Sequence, residues 1–402
     1  MTANKAILTM VAFMTYMIMS GLLTQIGVII EPISKYLNIS ITDAAAMFSY
    51  LTGGTLLGTF IALAAFSQYR ADIVLKTTYT GFLIVAAALL FADIRNPVFV
   101  SIVFVLLGAA CGVGLSGGAV LISKLYEENH RASAFIVTDC AFSAAGFLFP
   151  TLATIIIAAG LSWTLGYGAV SILVAIVLAS TFLVRYPATE TQTAESSTQE
   201  TPPAHQNIWI PRVFIMGVAL CMYLMAQTTF LTWAPNYLQT KFGMEASVAG
   251  SAVGNYWGPS IFGLVIAAVL VTRVPPRLVL LCASVIAVLI SSFLMSTNDP
   301  ETFLTVTLSL GFLTSCIFKI GISVGSLQIK NAPARLVTFL ICASTLGSTI
   351  APALSSRFVK YFGVDSAMIM TMVSFSTMLI LFIVVLTLEK IDKSKSTAAA
   401  SI

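Results

Sequence analysis

Residues 185–207 of this 402-residue chain read RYPATETQTAESSTQETPPAHQN. The stretch is rich in Thr, Ser, Glu, Gln and Pro and has almost no apolar side chains. Because such a segment cannot bury a core, it is expected to be a flexible linker. The rest of the chain is strongly apolar: 58% of all residues are hydrophobic and 9% are charged, whereas soluble domains carry roughly a quarter charged residues. The linker therefore separates two apolar halves, and this division decides the fold.

Both halves are composed of segments long enough to cross a membrane, for which ~20 apolar residues are needed. A mean hydropathy of +0.97 is too high for a water-soluble surface. Twelve spans are predicted, six on each side of the linker: 7–30, 44–66, 76–92, 97–123, 133–158, 162–184, 209–234, 247–271, 277–296, 303–329, 336–356 and 365–388. The predicted domains are residues 1–184, a linker at 185–208, residues 209–389 and a tail at 390–402.

Lysines and arginines are distributed unevenly between the loops on the two sides of these spans. With the N-terminus placed in the cytoplasm, 14 of the 20 basic residues lie on the cytoplasmic side, five lie outside, and Lys319 lies within a span. Because cytoplasmic loops carry the excess of basic residues, both termini and the linker are predicted to be cytoplasmic.

The two halves share short patterns that suggest an internal duplication. Lys35-Tyr36 and Lys241-Phe242 each follow an odd-numbered span, and residues 130–135 resemble residues 334–339. Together these matches favour a six-plus-six repeat, which is a common plan among transporters.

Several classes of function are disfavoured because their motifs are absent from the sequence. There is no G-x-x-x-x-G-K-[ST] loop, which excludes a P-loop ATPase. The two histidines cannot build a zinc site, and no C-x-x-C pair occurs among the six cysteines. The basic residues form no cluster of the kind that binds nucleic acid. We therefore predict no enzyme, no cofactor, no metal and no nucleic-acid partner, so that transport would draw on an ion gradient, an exchange partner or the solute's own gradient.

A group of uncharged polar residues lies at similar depth in the first, second, seventh and eighth spans. Amides in hydrocarbon need partners, because each unpaired one costs several kcal/mol. Such residues either join helices by hydrogen bonds or form the wall of a solute cavity. The candidate substrate-binding residues are Gln25, Tyr50, Gln227, Asn255 and Tyr256.

Two charged residues remain deep within spans once the loops are set aside. Asp139 lies eight residues beyond Arg131, and Lys319 lies eleven residues before Lys330. At ~1.5 Å per residue, both are roughly 12–17 Å from the cytoplasmic helix ends. Charged residues at depth are costly and mark functional sites by default. Asp139 and Lys319 are therefore predicted to act in coupling or gating; the alternative is a structural charge pair or a lysine that reaches towards the membrane surface.

Three stretches resemble a known family of transporters. They are Ile122–Glu127, Thr138–Pro150 and Phe230–Tyr237. In these stretches, and in its arrangement of two six-helix halves, the chain resembles the major facilitator superfamily. Within that superfamily it resembles the TsgA group, near the fucose-permease-like branch. The resemblance implies an all-α integral membrane fold of twelve transmembrane helices in two six-helix bundles.

The chain also departs from the superfamily's motifs. In the superfamily, the loop between the second and third spans usually carries Gly, then Asp, then a run of basic residues. Here residues 64–72 lack that pattern, and only Arg70 and, just beyond the loop, Lys76 remain as its basic members. Residues 145–150 lack the Gly-Pro-rich pattern of drug antiporters, so drug efflux is disfavoured.

The resemblance implies a secondary active transporter in a bacterial inner membrane, with a small polar solute, protons and membrane lipid as its partners. It would work by alternating access, with Asp139 as the protonatable group. Two other functions stay open: an uncoupled facilitator or exporter of the same fold, and a membrane sensor or scaffold that has lost transport.

Overall fold

The computed structural model describes residues 3–126, 128–184, 186, 210–329 and 334–400. Apart from Tyr186, the predicted linker at 185–208 lies outside the described residues. Within them every regular element is an α-helix, and there are fourteen: α1 Ala3–Thr24, α2 Ile26–Leu37, α3 Ile41–Gln68, α4 Ala71–Phe91, α5 Pro97–Leu125, α6 Glu128–Ala158, α7 Thr164–Leu183, α8 Pro211–Phe242, α9 Ala246–Leu270, α10 Pro276–Ser296, α11 Pro300–Thr314, α12 Ile317–Ser326, α13 Ala334–Phe362 and α14 Asp365–Ala400.

Twelve spans are confirmed in the described residues, six on each side of the linker. The predicted first span is bent at Gln25 between α1 and α2, and the tenth is broken between α11 and α12. The predicted seventh span stops before Pro235, a residue that usually ends a helix, but α8 includes Pro235 and continues to Phe242. The last helix, α14, also extends through the segment predicted as a tail and ends at Ala400.

We call the end of the molecule that carries Asn38, Gly243 and Gly363 the outer end, and the opposite end the inner end, following the predicted orientation. These three residues end α2, α8 and α13 with positive φ angles of 53°, 67° and 80°. Glycine, and to a lesser degree asparagine, tolerates this left-handed conformation and therefore commonly follows the last turn of a helix.

The two six-helix groups repeat one packing scheme. In the first group α1 packs on α6, α3 on α5 and α4 on α7; in the second, α8 packs on α13, α9 on α11 and α10 on α14. Glycines allow the closest of these contacts, since a Cβ atom at Gly58 would collide with the backbone of Ala109. Small residues serve this purpose in membrane helices, where packing replaces the hydrophobic driving force.

A buried ion pair joins two helices at the inner end of the second bundle. Arg277 on α10 donates to both carboxylate oxygens of Glu389 on α14, at 2.8 Å from Nε and 2.7 Å from Nη2. Glu389 is 7% exposed, and Gln328 Nε2 lies 3.4 Å from its Oε2. A bidentate, charge-assisted pair of this kind holds helices in a defined geometry.

Candidate functional site

The two bundles contact each other chiefly along four pairs of helices: α2 with α8, α2 with α9, α3 with α13, and α6 with α9. Near the outer end, Gly27 packs directly against the backbone of Leu231, with Pro235 Cδ at 3.2 Å from the position a Cβ would take. The amide of Ala353 donates to Ser49 Oγ at 2.9 Å. These contacts close the outer end of the interface between the bundles.

Further inward, the interface carries the two deep charges predicted from the sequence. Lys319 Nζ on α12 lies 3.1 Å from Asp139 Oδ2 on α6, so the ion pair joins the two bundles. The side chain of Asp139 is 16% exposed and that of Lys319 is 47% exposed. The hydroxyl of Tyr16 on α1 is hydrogen-bonded to Thr138, the residue that precedes Asp139. The structure therefore brings together two residues that are 180 positions apart in sequence, and leaves the lysine accessible from one side.

An aromatic contact lies one helical turn outward of Asp139 on α6. Phe142, one turn beyond Asp139, packs edge-on against Trp257 of α9, with ring centroids 5.4 Å apart. The indole ring also lies against Gly146, so closely that a Cβ there would fall 2.7 Å from Trp257 Cγ. The Nε1 atom of Trp257 is buried without a hydrogen-bond partner in the described residues. This point of contact between α6 and α9 thus includes an unused donor.

A network of hydrogen bonds in the second bundle contains two of the predicted substrate-binding residues. Gln227 Nε2 on α8 lies 2.8 Å from Tyr256 Oη and 3.3 Å from Tyr223 Oη. Tyr256 Oη lies 3.0 Å from Thr314 Oγ1. Both tyrosines are buried, whereas Gln227 is half-buried.

The directions of these bonds fix the orientation of the Gln227 amide. Tyr223 donates its proton to the carbonyl oxygen of Thr314 at 2.9 Å. Thr314 Oγ1 donates to the carbonyl oxygen of Leu310 at 2.7 Å, so it accepts from Tyr256. Because both tyrosine protons are used, their oxygens can only accept, and the NH₂ group of Gln227 must face them. Its Oε1 therefore points away from the tyrosines as a hydrogen-bond acceptor.

Gln227 lies on the face of α8 that is turned towards the first bundle. It is one helical turn inward of Leu231, which packs on Gly27 of α2. The same network also stabilises the break in the tenth span. Because α11 ends at Thr314, the carbonyl oxygen of Thr314 has no hydrogen bond within the helix, and it accepts one from the Tyr223 hydroxyl instead. Gln227 thus lies on the inner side of the contact between Gly27 and Leu231, and close to the helix break that precedes Lys319.

The other predicted substrate-binding residues lie elsewhere in this conformation. Gln25 is fully buried at the bend between α1 and α2, and its Nε2 donates to the carbonyls of Gly21 and Gly166 within the first bundle. Asn255 donates to Leu304 O on α11 at 3.3 Å. Tyr50 is 53% exposed and lines a groove at the outer end. Of the five predicted residues, the geometry brings only Gln227 and Tyr256 together.

The predicted basic residues of the loop between α3 and α4 make local contacts at the inner end. Arg70 Nε and Lys76 Nζ lie 3.1 Å and 3.7 Å from the two carboxylate oxygens of Asp72. The Lys76 ammonium also lies 4.8 Å from the ring centroid of Phe182 on α7. These residues therefore hold the start of α4 against α7.

Sequence reasoning missed Tyr223 and Thr314. Tyr223 precedes Gln227 by four residues and thus shares its helix face, a signal that was available. Thr314 carries no such signal, because its role depends on the helix break, which the sequence does not predict. In the part of the chain that the structure describes, no group of three or more His, Cys, Asp or Glu residues could hold a metal ion.

Related sequences cover almost the entire chain. A protein described as "Protein TsgA homolog" from Yersinia enterocolitica is 27% identical over 366 residues, which is 91% of each chain. A protein of the same description from Buchnera aphidicola is 26% identical over 391 residues, 96% of this chain and 97% of the relative.

Three solved structures with the same fold are transporters. A bacterial homologue of the human lysosomal transporter Spinster, in an inward-facing and occupied conformation, has a TM-score of 0.74 at 13% identity, over 96% of this chain and 97% of the other. The nucleoside transporter NupG has a TM-score of 0.71 at 13% identity, over 97% and 100%. A D-xylose-proton symporter has a TM-score of 0.71 at 14% identity, over 93% and 96%.

The family model described as Major Facilitator Superfamily matches residues 6–329 and, in a second match, residues 238–401. Together the two matches span both bundles, and the second falls on the repeat whose packing copies the first. The chain therefore belongs to the Major Facilitator Superfamily.

Proposed function

We propose that this chain is a proton-coupled secondary transporter that moves a small polar solute across a bacterial inner membrane by alternating access. The ion pair between Asp139 and Lys319 carries the proposal. It joins the two bundles at mid-depth, where charged groups are costly and occur chiefly in ion and solute pathways. Membership in a superfamily of transporters supports the same function.

The conformation supports an arrangement in which the solute pathway is closed towards the outside. The contacts of Gly27 with Leu231 and of Ser49 with Ala353 close the outer end. A lysine that is 47% exposed at mid-depth is too costly to face lipid, so we assign its exposed side to a polar space between the bundles. With both termini in the cytoplasm, this space would open inwards.

The chemistry of the solute follows from the orientation of Gln227. Because its amide NH₂ is held by two tyrosines, Oε1 is the group offered to a ligand. An acceptor selects ligands that donate hydrogen bonds, and a site built to bond a hydroxyl or amine group rejects analogues that lack one. We therefore favour a solute with hydroxyl or amine groups over a purely apolar compound.

Proton coupling would act through the charge of Asp139. When the carboxylate takes up a proton, its attraction to Lys319 is weakened, and the conformation in which the pair forms loses stability relative to one in which the two side chains are apart. When the proton leaves, the pair re-forms. In this way, protonation biases one conformation over the other, which is the differential interaction that coupling requires.

Uptake into proteoliposomes tests the proposal. Purified protein would be reconstituted and supplied with radiolabelled pentoses, hexoses and nucleosides, with and without an imposed proton gradient. We expect at least one solute to accumulate when a gradient is present, and Asp139→Asn to abolish accumulation. Solute flux at the same rate with and without the gradient would instead indicate a facilitator. The absence of flux for every solute would favour a sensor or scaffold.

A further inference from the structure

A groove of about 850 Å³ opens at the outer end where the two bundles meet. Its walls come from α3 and α5 of the first bundle and α13 of the second, and Ser49 and Ala353, which bond each other across the interface, line it. An occupant of this groove would therefore touch both bundles at the place where they close. We define this space as the outer groove.

The groove has a polar mouth and an apolar interior. At its mouth, Asp43 lies near the start of α3, and Arg357 and Lys360 lie near the end of α13. Deeper, its α5 wall runs from Pro97 to Val105, a length of about 12 Å at ~1.5 Å per residue. Exposed apolar side chains along this wall, such as Ile102 at 48%, face the hydrocarbon. This profile matches an amphiphile whose head lies at the membrane surface and whose chain extends inwards.

The three charges at the mouth are available to a ligand. Arg357 and Lys360 have no ion-pair partner within 4.0 Å among the residues that the structure describes, and both are exposed. Asp43 accepts a hydrogen bond from Ser40 on Oδ2, and its Oδ1 has no partner among the described residues. Two cations on one bundle thus face the same groove as one carboxylate on the other.

We propose that the outer groove binds a phospholipid whose head group carries a primary ammonium. The phosphate lies between Arg357 and Lys360, the ammonium donates to Asp43, and one acyl chain lies along α5. Arginine and lysine both bind phosphate groups, and a primary ammonium, unlike a quaternary one, donates hydrogen bonds to a carboxylate. The bound lipid bridges the bundles and stabilises the conformation that is closed at the outer end.

Thermal-shift titrations of the purified full chain in detergent test this assignment with three lipids of the same dioleoyl chains. We expect phosphatidylethanolamine to raise the melting temperature at lower concentration than phosphatidylcholine or phosphatidylglycerol. Each cation near a lipid surface contributes about fivefold in affinity. Arg357→Gln and Lys360→Gln should therefore each weaken phosphatidylethanolamine binding by about that factor, and Asp43→Asn should remove its advantage over phosphatidylcholine.

The matched control is Arg95→Gln, which removes an exposed outer arginine that lies outside the groove. Its affinity for phosphatidylethanolamine should equal that of the unaltered protein. All the substituted side chains are exposed, and melting without added lipid verifies that each variant is folded. Equal shifts by the three lipids, a preference for phosphatidylglycerol, or unchanged affinity after Arg357→Gln and Lys360→Gln would each overturn the proposal.

Discussion

At the scale of single residues, the ion pair between Asp139 and Lys319 gives the sharpest prediction. Asp139→Asn and Lys319→Ala should each reduce gradient-driven uptake, because each leaves the other side chain without its partner at mid-depth. Breaking a fully buried pair costs about 3–5 kcal/mol; the cost here should be lower, since Lys319 is 47% exposed. The double variant should lose less than the sum of the single losses.

A double-mutant cycle measures this coupling in melting temperature and in uptake. Losses that simply add would mean that the two side chains act independently, so that the ion pair has no role in gating. Exchange of solute without a gradient should survive in Asp139→Asn, because that step needs no net proton movement.

The network around Gln227 gives a second prediction at this scale. Gln227→Ala removes the acceptor offered to the solute, and Tyr256→Phe removes the acceptor that fixes the amide. A net hydrogen bond contributes about 0.5–1.5 kcal/mol, so each change should weaken solute affinity by about two- to tenfold. Asn255→Ala is the matched control, since its amide bonds Leu304 within the bundle. If the control weakens affinity as much as Gln227→Ala, the site is not confined to the network around Gln227.

The same residues illustrate what the sequence predicts about a site. Asp139 and Lys319 are recognisable because charge at depth is rare, and depth can be read from the distance to a helix end. Gln25 resembles Gln227 in depth and chemistry, yet it is fully buried against Gly166. Depth is visible in a linear sequence, whereas the direction in which a side chain points around a bent helix depends on the packing of both bundles.

At the scale of helices, the break between α11 and α12 gives a prediction about stability. Tyr223→Phe removes the hydroxyl that bonds the free carbonyl of Thr314. A buried acceptor left without a partner costs about 1–3 kcal/mol, so the melting temperature should fall. Tyr36→Phe is the control, because its hydroxyl bonds the exposed Asp93 and its loss should change little. If Tyr223→Phe and the unaltered protein have the same melting temperature, another group must donate a hydrogen bond to the Thr314 carbonyl.

The inner ends of α10 and α14 give a related prediction. Glu389→Ala leaves Arg277 without its bidentate partner and should cost about 3 kcal/mol, measured as a lower melting temperature. Asp93→Asn, which breaks the exposed pair with Arg95, should have almost no effect, because exposed pairs contribute little. Similar decreases in melting temperature for Glu389→Ala and Asp93→Asn would contradict the expectation that the more buried pair contributes more to stability.

At the scale of the whole molecule, the distribution of lysines and arginines predicts both termini in the cytoplasm. A reporter that is active only in the cytoplasm should work at Thr193 or after Lys395, and one that is active only outside should work at Asn38 or Asn298. Activity of the outside reporter at Thr193 would mean that the number of spans before the linker, or the orientation, is wrong.

Span number and the division into two halves are predictable because hydropathy and the polar linker act over tens of residues. The bend at Gln25 and the break after Thr314 are not, since both positions lie inside continuous apolar runs. Their irregular backbone is stabilised by side chains from other helices, such as Tyr223. Local sequence therefore predicts how many helices cross the membrane better than it predicts where they bend.

The shared packing scheme of the two bundles has an evolutionary consequence for the ion pair. In the repeat, α6 corresponds to α13 and α5 to α11 with α12, so a symmetric second pair would join α5 to α13. The segments of those helices at matching depth, residues 113–116 and 341–343, contain no charged residue. A gene encoding one ancestral half, assembled as a symmetric dimer, would have carried two such pairs or none. The presence of a single pair therefore means that the two copies diverged at these positions after duplication, either by gain of one pair or by loss of the other.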